Sequence, residues 1–131
     1  MKKFVLDAGV ALQLAATAAK VPTSRKLLAP TLFRSQTLSA LYEAVQRGTL
    51  SADVARERLR FLGRMPIRFL GDAVLRRRAW DLAERLGWPS TYAAEYVALT
   101  QLQADAFVTL DAKLARSLRG IVEVASIEAL L

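Results

Sequence analysis

The chain contains no cysteine and no histidine. The first absence excludes disulfides, thiolate zinc sites and a cysteine nucleophile. The second excludes Ser-His-Asp triads, histidine acid–base pairs and histidine-ligated metals. Any catalysis must therefore run on carboxylates, hydroxyls, amines or a cation held by carboxylates. Acidic residues are also few: 12 Asp and Glu stand against 19 Lys and Arg, a formal charge of +7 with a pI near 10.4. That balance favours polyanionic partners. The 6 Gly and 4 Pro are scattered and form no linker, and there is no internal repeat or low-complexity stretch. No apolar run approaches the roughly 18 uncharged residues that a bilayer-crossing helix needs. Lys2 and Lys3 before the uncharged run Ala8–Ala19, with Ala16-Thr17-Ala18 near its end, imitate an export signal. Asp7 at the head of the run and Gln13 inside it argue against that reading, so a cytoplasmic protein with no membrane segment is expected.

The remainder describes a globular domain. At 131 residues, 53% hydrophobic and with a mean hydropathy of +0.23, the chain fits one domain over residues 1–131 around one core. Phe4-Val5-Leu6 is a short apolar run ending at Asp7 and reads as a buried first strand. A helix over Ala8–Ala19 follows, closed by Val21-Pro22-Thr23-Ser24. Lys26–Ala29 reads as a second strand stopped by Pro30. Thr31–Arg47 reads as a helix with Leu38, Leu41, Tyr42 and Val45 on one apolar stripe and Gly48 as its stop. Ser51 is an N-cap for a helix over Ala52–Leu62. Ile67–Leu70 is a third strand, and Asp72 opens a helix to Leu86, with Val74, Leu75, Leu82 and Leu86 apolar and Gly87 as its end. Ser90 or Thr91 caps a helix over Tyr92–Ala104. Ala106–Thr109 is a strand delivering Asp111 just past its end. A short helix over Ala112–Leu118, a last strand over Ile121–Val124 and a terminal turn complete the chain. Short apolar strands alternating with helices predict an α/β fold, with βαβ units around a parallel sheet. The strand C-terminal ends, with Asp7 and Asp111, then line one edge, where open α/β sheets bind ligands. Phe4, Phe69, Trp80 and Phe107 read as core, and Trp88, beside Gly87 and Pro89, as packing at a loop in preference to stacking on a base.

Two aspartates at strand ends, in a chain without His or Cys, point to a hard, oxygen-liganded cation such as Mg²⁺ or Mn²⁺. Either residue can equally be the N-cap of the helix that follows it. Both readings stand on spacing alone.

A family resemblance bears on the choice. Val5-Leu6-Asp7-Ala8, Ala29-Pro30 leading into a helix, Tyr92-Ala93-Ala94-Glu95-Tyr96-Val97-Ala98-Leu99, and Phe107-Val108-Thr109-Leu110-Asp111 resemble, in this order and over nearly the whole chain, the PIN domain of VapC-type ribonuclease toxins. The resemblance implies a three-layer α/β/α fold with a short-stranded parallel sheet, and Mg²⁺- or Mn²⁺-dependent cleavage of structured RNA such as tRNA or rRNA. It also implies a homodimer and inhibition by a small cognate antitoxin of VapB type. The family's first and last aspartates fall on Asp7 and Asp111. Its glutamate falls on Gln36, an amide that can ligate or orient water but carries no charge. Its third carboxylate falls on Ala93, which has no donor atom. Glu95 is the nearest substitute, yet residues two apart on a helix point roughly 200° away from each other; an acid in the first helical turn has a good electrostatic reason of its own. With two charges where the family has three or four, metal binding is expected to be weak and ribonuclease activity small or absent. The alternative is a catalytically dead module that binds antitoxin or RNA without cleaving it. Arg76-Arg77-Arg78 is the densest basic run and the candidate RNA contact. The exposed part of the Tyr42–Gly63 hairpin is the candidate seat for an antitoxin helix.

Overall fold

The computed structural model describes residues 2–131. Its centre is a five-stranded sheet in the order β3-β2-β1-β4-β5, in which every neighbouring pair is parallel. The strands are β1 (Lys3–Leu6), β2 (Lys26–Pro30), β3 (Ile67–Leu70), β4 (Ala106–Val108) and β5 (Val124–Ala125). Helices α1 (Ala8–Thr17), α2 (Leu32–Gln46), α3 (Ala52–Arg64), α4 (Ala73–Leu86), α5 (Tyr92–Gln103) and α6 (Ala112–Ser117) fill the connections, and a 3₁₀ turn over Ile127–Leu130 closes the chain. β1 and β4 are buried almost throughout, as the central strands of a parallel sheet covered on both faces must be.

Sheet register assigns the layers. Phe69 pairs with Ala29, whereas Phe107 pairs with Val5 and Val5 with Leu28. Phe69 and Phe107 therefore project from opposite faces, because successive strand residues alternate. Phe69 packs on Phe33 of α2, and Phe107 on Tyr96 of α5, with ring centroids 5.7 and 6.2 Å apart. α1 and α3 join α2 on the first side, and α4 packs on α5 on the second. The result is the expected three-layer α/β/α sandwich.

Local chemistry explains the element boundaries. Asp7, Ser51, Asp72 and Asp111 each accept a hydrogen bond from the backbone N–H three residues on, capping α1, α3, α4 and α6, which is the usual work of such residues at helix starts. α4 ends at Gly87 with φ 68°, a left-handed stop that glycine adopts without strain.

Five expectations need correction. β2 continues through Pro30, which pairs with Leu70; the pairing of β2 with β1 has already ended at Leu28 and Val5, so no ladder acceptor waits for the N–H that proline lacks. The last strand is Val124–Ala125 and not Ile121–Val124. Gly120, at φ 77°, lets the chain wrap back so that the Ile121 and Val122 N–H groups satisfy the Leu118 carbonyl. In α2 the buried line is Phe33, Thr37 and Leu41, while Leu38 and Tyr42 are 54% and 63% exposed. Trp80 is 64% exposed, because α4 buries Leu75, Ala79, Leu82 and Ala83, a line displaced by about 100° from position 80. Val74, expected on the apolar face of α4, is exposed for the same reason.

Candidate active site

β1 and β4 lie side by side, and Leu6 pairs with Val108. The residues just past their ends, Asp7 and Thr109–Asp111, are thereby brought to the same edge of the sheet. Asp7 Oδ1 accepts from the Val10 N–H at 2.9 Å and Oδ2 accepts from the Thr109 hydroxyl at 2.6 Å. The same hydroxyl oxygen accepts from the Asp111 N–H at 3.1 Å. Asp111 Oδ1 accepts from the Leu114 N–H at 3.0 Å. Thr109 is therefore a bridge, its donor on one carboxylate and its acceptor on the backbone of the other. Both aspartates cap a helix and also face each other electrostatically, so the cap and metal readings are compatible.

Burial raises the Asp7 carboxyl above its ordinary range, and the negative charge of Asp111 adds to the rise; the bonds from Thr109 and from the Val10 and Gly9 N–H groups oppose it. A carboxylate that resists ionisation while accepting several hydrogen bonds is held in an unfavourable place, a pattern common at functional sites.

A cleft of about 280 Å³ opens in front of Asp7; Gln36, Tyr92, Ala93, Tyr96 and Leu114 are among the residues that line it with Asp7, and Asp111, exposed, is not. Gln36 comes from α2 across the sheet edge, and its Oε1 accepts from the Tyr96 hydroxyl at 2.5 Å. Burial, with the charges of Asp7 and then Glu95, pushes the Tyr96 hydroxyl well above its usual range, so it stays neutral and donates. Ala93 faces the cleft with no polar atom. Glu95 is not among the lining residues; burial raises its carboxyl, and its charge is felt by Tyr96. Arg76, Arg77 and Arg78 are exposed on α4. Arg78 Nη1 donates to Gln101 at 3.1 Å, nine residues along α5 from Tyr92 and so about 13 Å farther down the axis. None of the three lines the cleft.

Among the described residues no three acidic side chains gather at one point. The oxygen donors of Asp7, Asp111 and Gln36 suit a hard divalent cation in kind; in charge they fall short of what Mg²⁺, reluctant to dehydrate, requires. Sequence reasoning missed two residues that hold the site together, Thr109 and Tyr96. A threonine two positions before a strand-end aspartate was a signal for the first; nothing local signals the second, whose partner is sixty residues away.

Thr109→Val keeps the shape and removes both bonds of the bridge. We expect a loss of about 1–3 kcal/mol in urea denaturation, the usual consequence of orphaned buried polar groups, with Thr109→Ser recovering most of it. An unchanged midpoint for the valine variant would show that the bridge carries no stability.

Comparison with known structures bears on the fold. The chain is similar over 98% of its length to 92% of PAE2754 from Pyrobaculum aerophilum, with a TM-score of 0.78 and 23% identity. It is also similar to VapBC-1 from nontypeable Haemophilus influenzae, with a TM-score of 0.61 and 11% identity over 96% of this chain and 98% of that one. No protein-family model and no curated protein sequence matches the chain. The fold is PIN-like. No helix is long and apolar enough to cross a membrane, among the described residues.

Proposed function

We propose that the chain is a Mg²⁺-dependent endoribonuclease toxin of the VapC type, acting in the cytoplasm on structured RNA such as tRNA or rRNA, and impaired by Ala93. The observation that carries this reading is the pair Asp7 and Asp111, tied through Thr109 at the carboxyl edge of a parallel sheet, with Asp7 opening on a cleft. Asp7 and Asp111 would hold the cation, and Mg²⁺ or Mn²⁺ would supply charge neutralisation at the phosphodiester and an activated water. Gln36, its amide fixed by Tyr96, orients water or a phosphate oxygen. Position 93 contributes nothing. The apolar groove between α2 and α3, lined by Leu38, Tyr42 and Leu59, supports a small VapB-type antitoxin as partner, because an amphipathic helix fits such a groove. A homodimer is part of the same proposal.

A second reading has its own support. Gln36 is neutral and already bonded, and Ala93 is bare, so the module can bind RNA or antitoxin without cutting. Incubating purified tRNA and rRNA with this chain and with Ala93→Asp, in Mg²⁺ or Mn²⁺ against an EDTA control, separates the two. Cleavage by the variant alone, abolished by EDTA, is the expected outcome. Cleavage by neither favours the binding module. Equal cleavage by both overturns the assignment of position 93.

A further inference from the structure

A second cleft of about 490 Å³ lies at the opposite, N-terminal margin of the sheet, and Lys3, Arg25, Lys26 and Arg68 are among the residues that line it. Register fixes how these charges are arranged. Lys3 of β1 is the direct partner of Lys26 of β2, and Arg68 of β3 is the partner of Leu28, two residues beyond Lys26. Alternate residues of a strand share a face, so Lys3, Lys26 and Arg68 stand on one face of three adjacent strands, the face that α5 covers farther up. Arg25 closes the end of this row, its Nε donating to the Ala129 carbonyl at 3.3 Å and its Nη1 to the Ser24 hydroxyl at 2.9 Å. Among the described residues no acidic side chain lines the cleft. The nearby Asp105 carboxylate is engaged by the Lys3 backbone N–H at 2.8 Å.

Like charges directly opposite one another on neighbouring strands destabilise a sheet. Lysine is often tolerated there as a guard on an edge strand, where it discourages pairing with other chains. That explanation covers Arg68, on the edge strand β3, but not Lys3 and Lys26: β1 and β2 are interior strands and have no open edge to guard. An uncompensated cationic row across the interior strands, at the mouth of a cleft, is the arrangement expected where anions are meant to sit.

We propose that this margin is a phosphate-binding site for the backbone of an RNA strand, distinct from the cleft at Asp7 and Asp111 and on the far edge of the sheet from it. Arg68 offers a guanidinium fork to phosphate oxygens, Arg25 the N–H donors that its bonds to Ala129 and Ser24 leave over, and Lys3 and Lys26 act as point charges. Thr23, also in the lining, adds a hydroxyl donor. The assignment rests on the reading of the chain as an RNA-handling protein, but not on cleavage.

The test is fluorescence anisotropy of a labelled single-stranded oligoribonucleotide, titrated in EDTA at several salt concentrations. Three proteins are compared: the full chain, the variant Lys3→Gln/Lys26→Gln/Arg68→Gln, and the variant Lys20→Gln/Arg47→Gln/Arg85→Gln, which removes the same charge from scattered exposed positions. Each phosphate contact on a single strand contributes about 0.7 to the slope of log K against log salt. The cleft variant is expected to lose about 2 from that slope and at least about tenfold in affinity at low salt, and the scattered variant clearly less. Equal losses in the two variants would reduce the effect to net charge and overturn the site. A mononucleotide that binds the full chain with one-to-one stoichiometry, is lost in the cleft variant and leaves RNA affinity unchanged would overturn the assignment to a strand. Lys26→Gln alone, at an exposed position, reads a slope change of about 0.7 should the triple variant not fold. Because no metal is present, failure here is separable from failure to cleave, which is read in the nuclease assay.

Discussion

Placing an aspartate at position 93 is expected to raise Mg²⁺ affinity about ten- to a hundredfold in calorimetric titration, and to give a chain that cuts RNA where the unaltered one does so weakly or not at all. A carboxylate and a divalent cation about 4 Å apart attract by about 8 kcal/mol at an effective dielectric constant of 20, twice the value for two unit charges. Partial dehydration of the new carboxylate and of the ion takes back a large share of this. A net gain of about 1.4–2.8 kcal/mol corresponds to the stated range, since each 1.4 kcal/mol is tenfold. The same substitution has a cost without metal. Asp7 already has a raised carboxyl, from burial and from Asp111, and a third negative group in its cleft raises it further. The variant should therefore melt lower than the unaltered chain in EDTA and gain more on adding Mg²⁺. Ligand at a hundred times its dissociation constant stabilises by about 2.7 kcal/mol, or about 10 °C for a domain of this size. Gln36→Glu added to Ala93→Asp should extend both trends, with the Tyr96 hydroxyl donating to a carboxylate in place of an amide. Coincident isotherms and equal melting shifts for the single variant and the unaltered chain would show that position 93 is not a ligand position.

How much of this could be read beforehand depended on how local each signal was. Asp7 and Asp111 stood out because an apolar strand followed at once by an aspartate and a helical segment is a contiguous pattern, and β1 and β4 do lie side by side. The alternation of strands and helices was equally local and pointed to the parallel α/β sheet, while the three layers were what the family resemblance implied. The hydroxyl of Thr109 was present in a quoted motif, but its value lies in a contact with Asp7 across 102 residues of sequence, and only the strand pairing creates that contact. Tyr96 and Gln36 meet in the same way, from opposite sides of the sheet edge. Helix faces were misread for a different reason. A period of 3.6 residues allows two neighbouring lines on one helix to look apolar, and in α2 both do: Phe33, Thr37 and Leu41 are buried while Leu38 and Tyr42 are exposed beside them. The line that was misread is the one that borders the α2–α3 groove. The basic margin formed by Lys3, Lys26 and Arg68 was invisible for lack of register; separated by 23 and 42 positions, these residues share a face only once β1, β2 and β3 pair.

Asp7→Asn is expected to make the protein more stable at pH 7 while removing one of the two carboxylates proposed to hold the cation. Asparagine caps helices about as well as aspartate, so its Oδ1 keeps the Val10 N–H, and its amide can donate to the Thr109 oxygen. What disappears is a buried charge and its repulsion by Asp111, the two causes that raise the Asp7 carboxyl. Removing strained functional groups commonly returns about 0.5–2 kcal/mol, here about 2–8 °C in melting temperature. The pH dependence identifies the source. Because the folded-state value is raised above the ordinary one of 3.8, the folded protein binds more protons than the unfolded chain between the two values, and stability falls as pH rises through that window. Below it Asp7 is protonated in both states, and the penalty vanishes. The advantage of Asp7→Asn should therefore be small near pH 3, grow as pH rises through the window and stay constant above it. Other carboxylates titrate in both proteins and cancel in the difference. Asp7→Ala supplies the opposite sign: it removes the charge but strands the Val10 N–H and the Thr109 hydroxyl, at a cost of about 1–3 kcal/mol, and should melt lower than the unaltered chain at pH 7. Melting curves of the three proteins from pH 3 to pH 8 decide the matter. If the asparagine variant melts no higher at pH 7, or if its advantage does not depend on pH, the carboxylate is not held at the energetic cost on which the reading of this edge as a functional site partly depends.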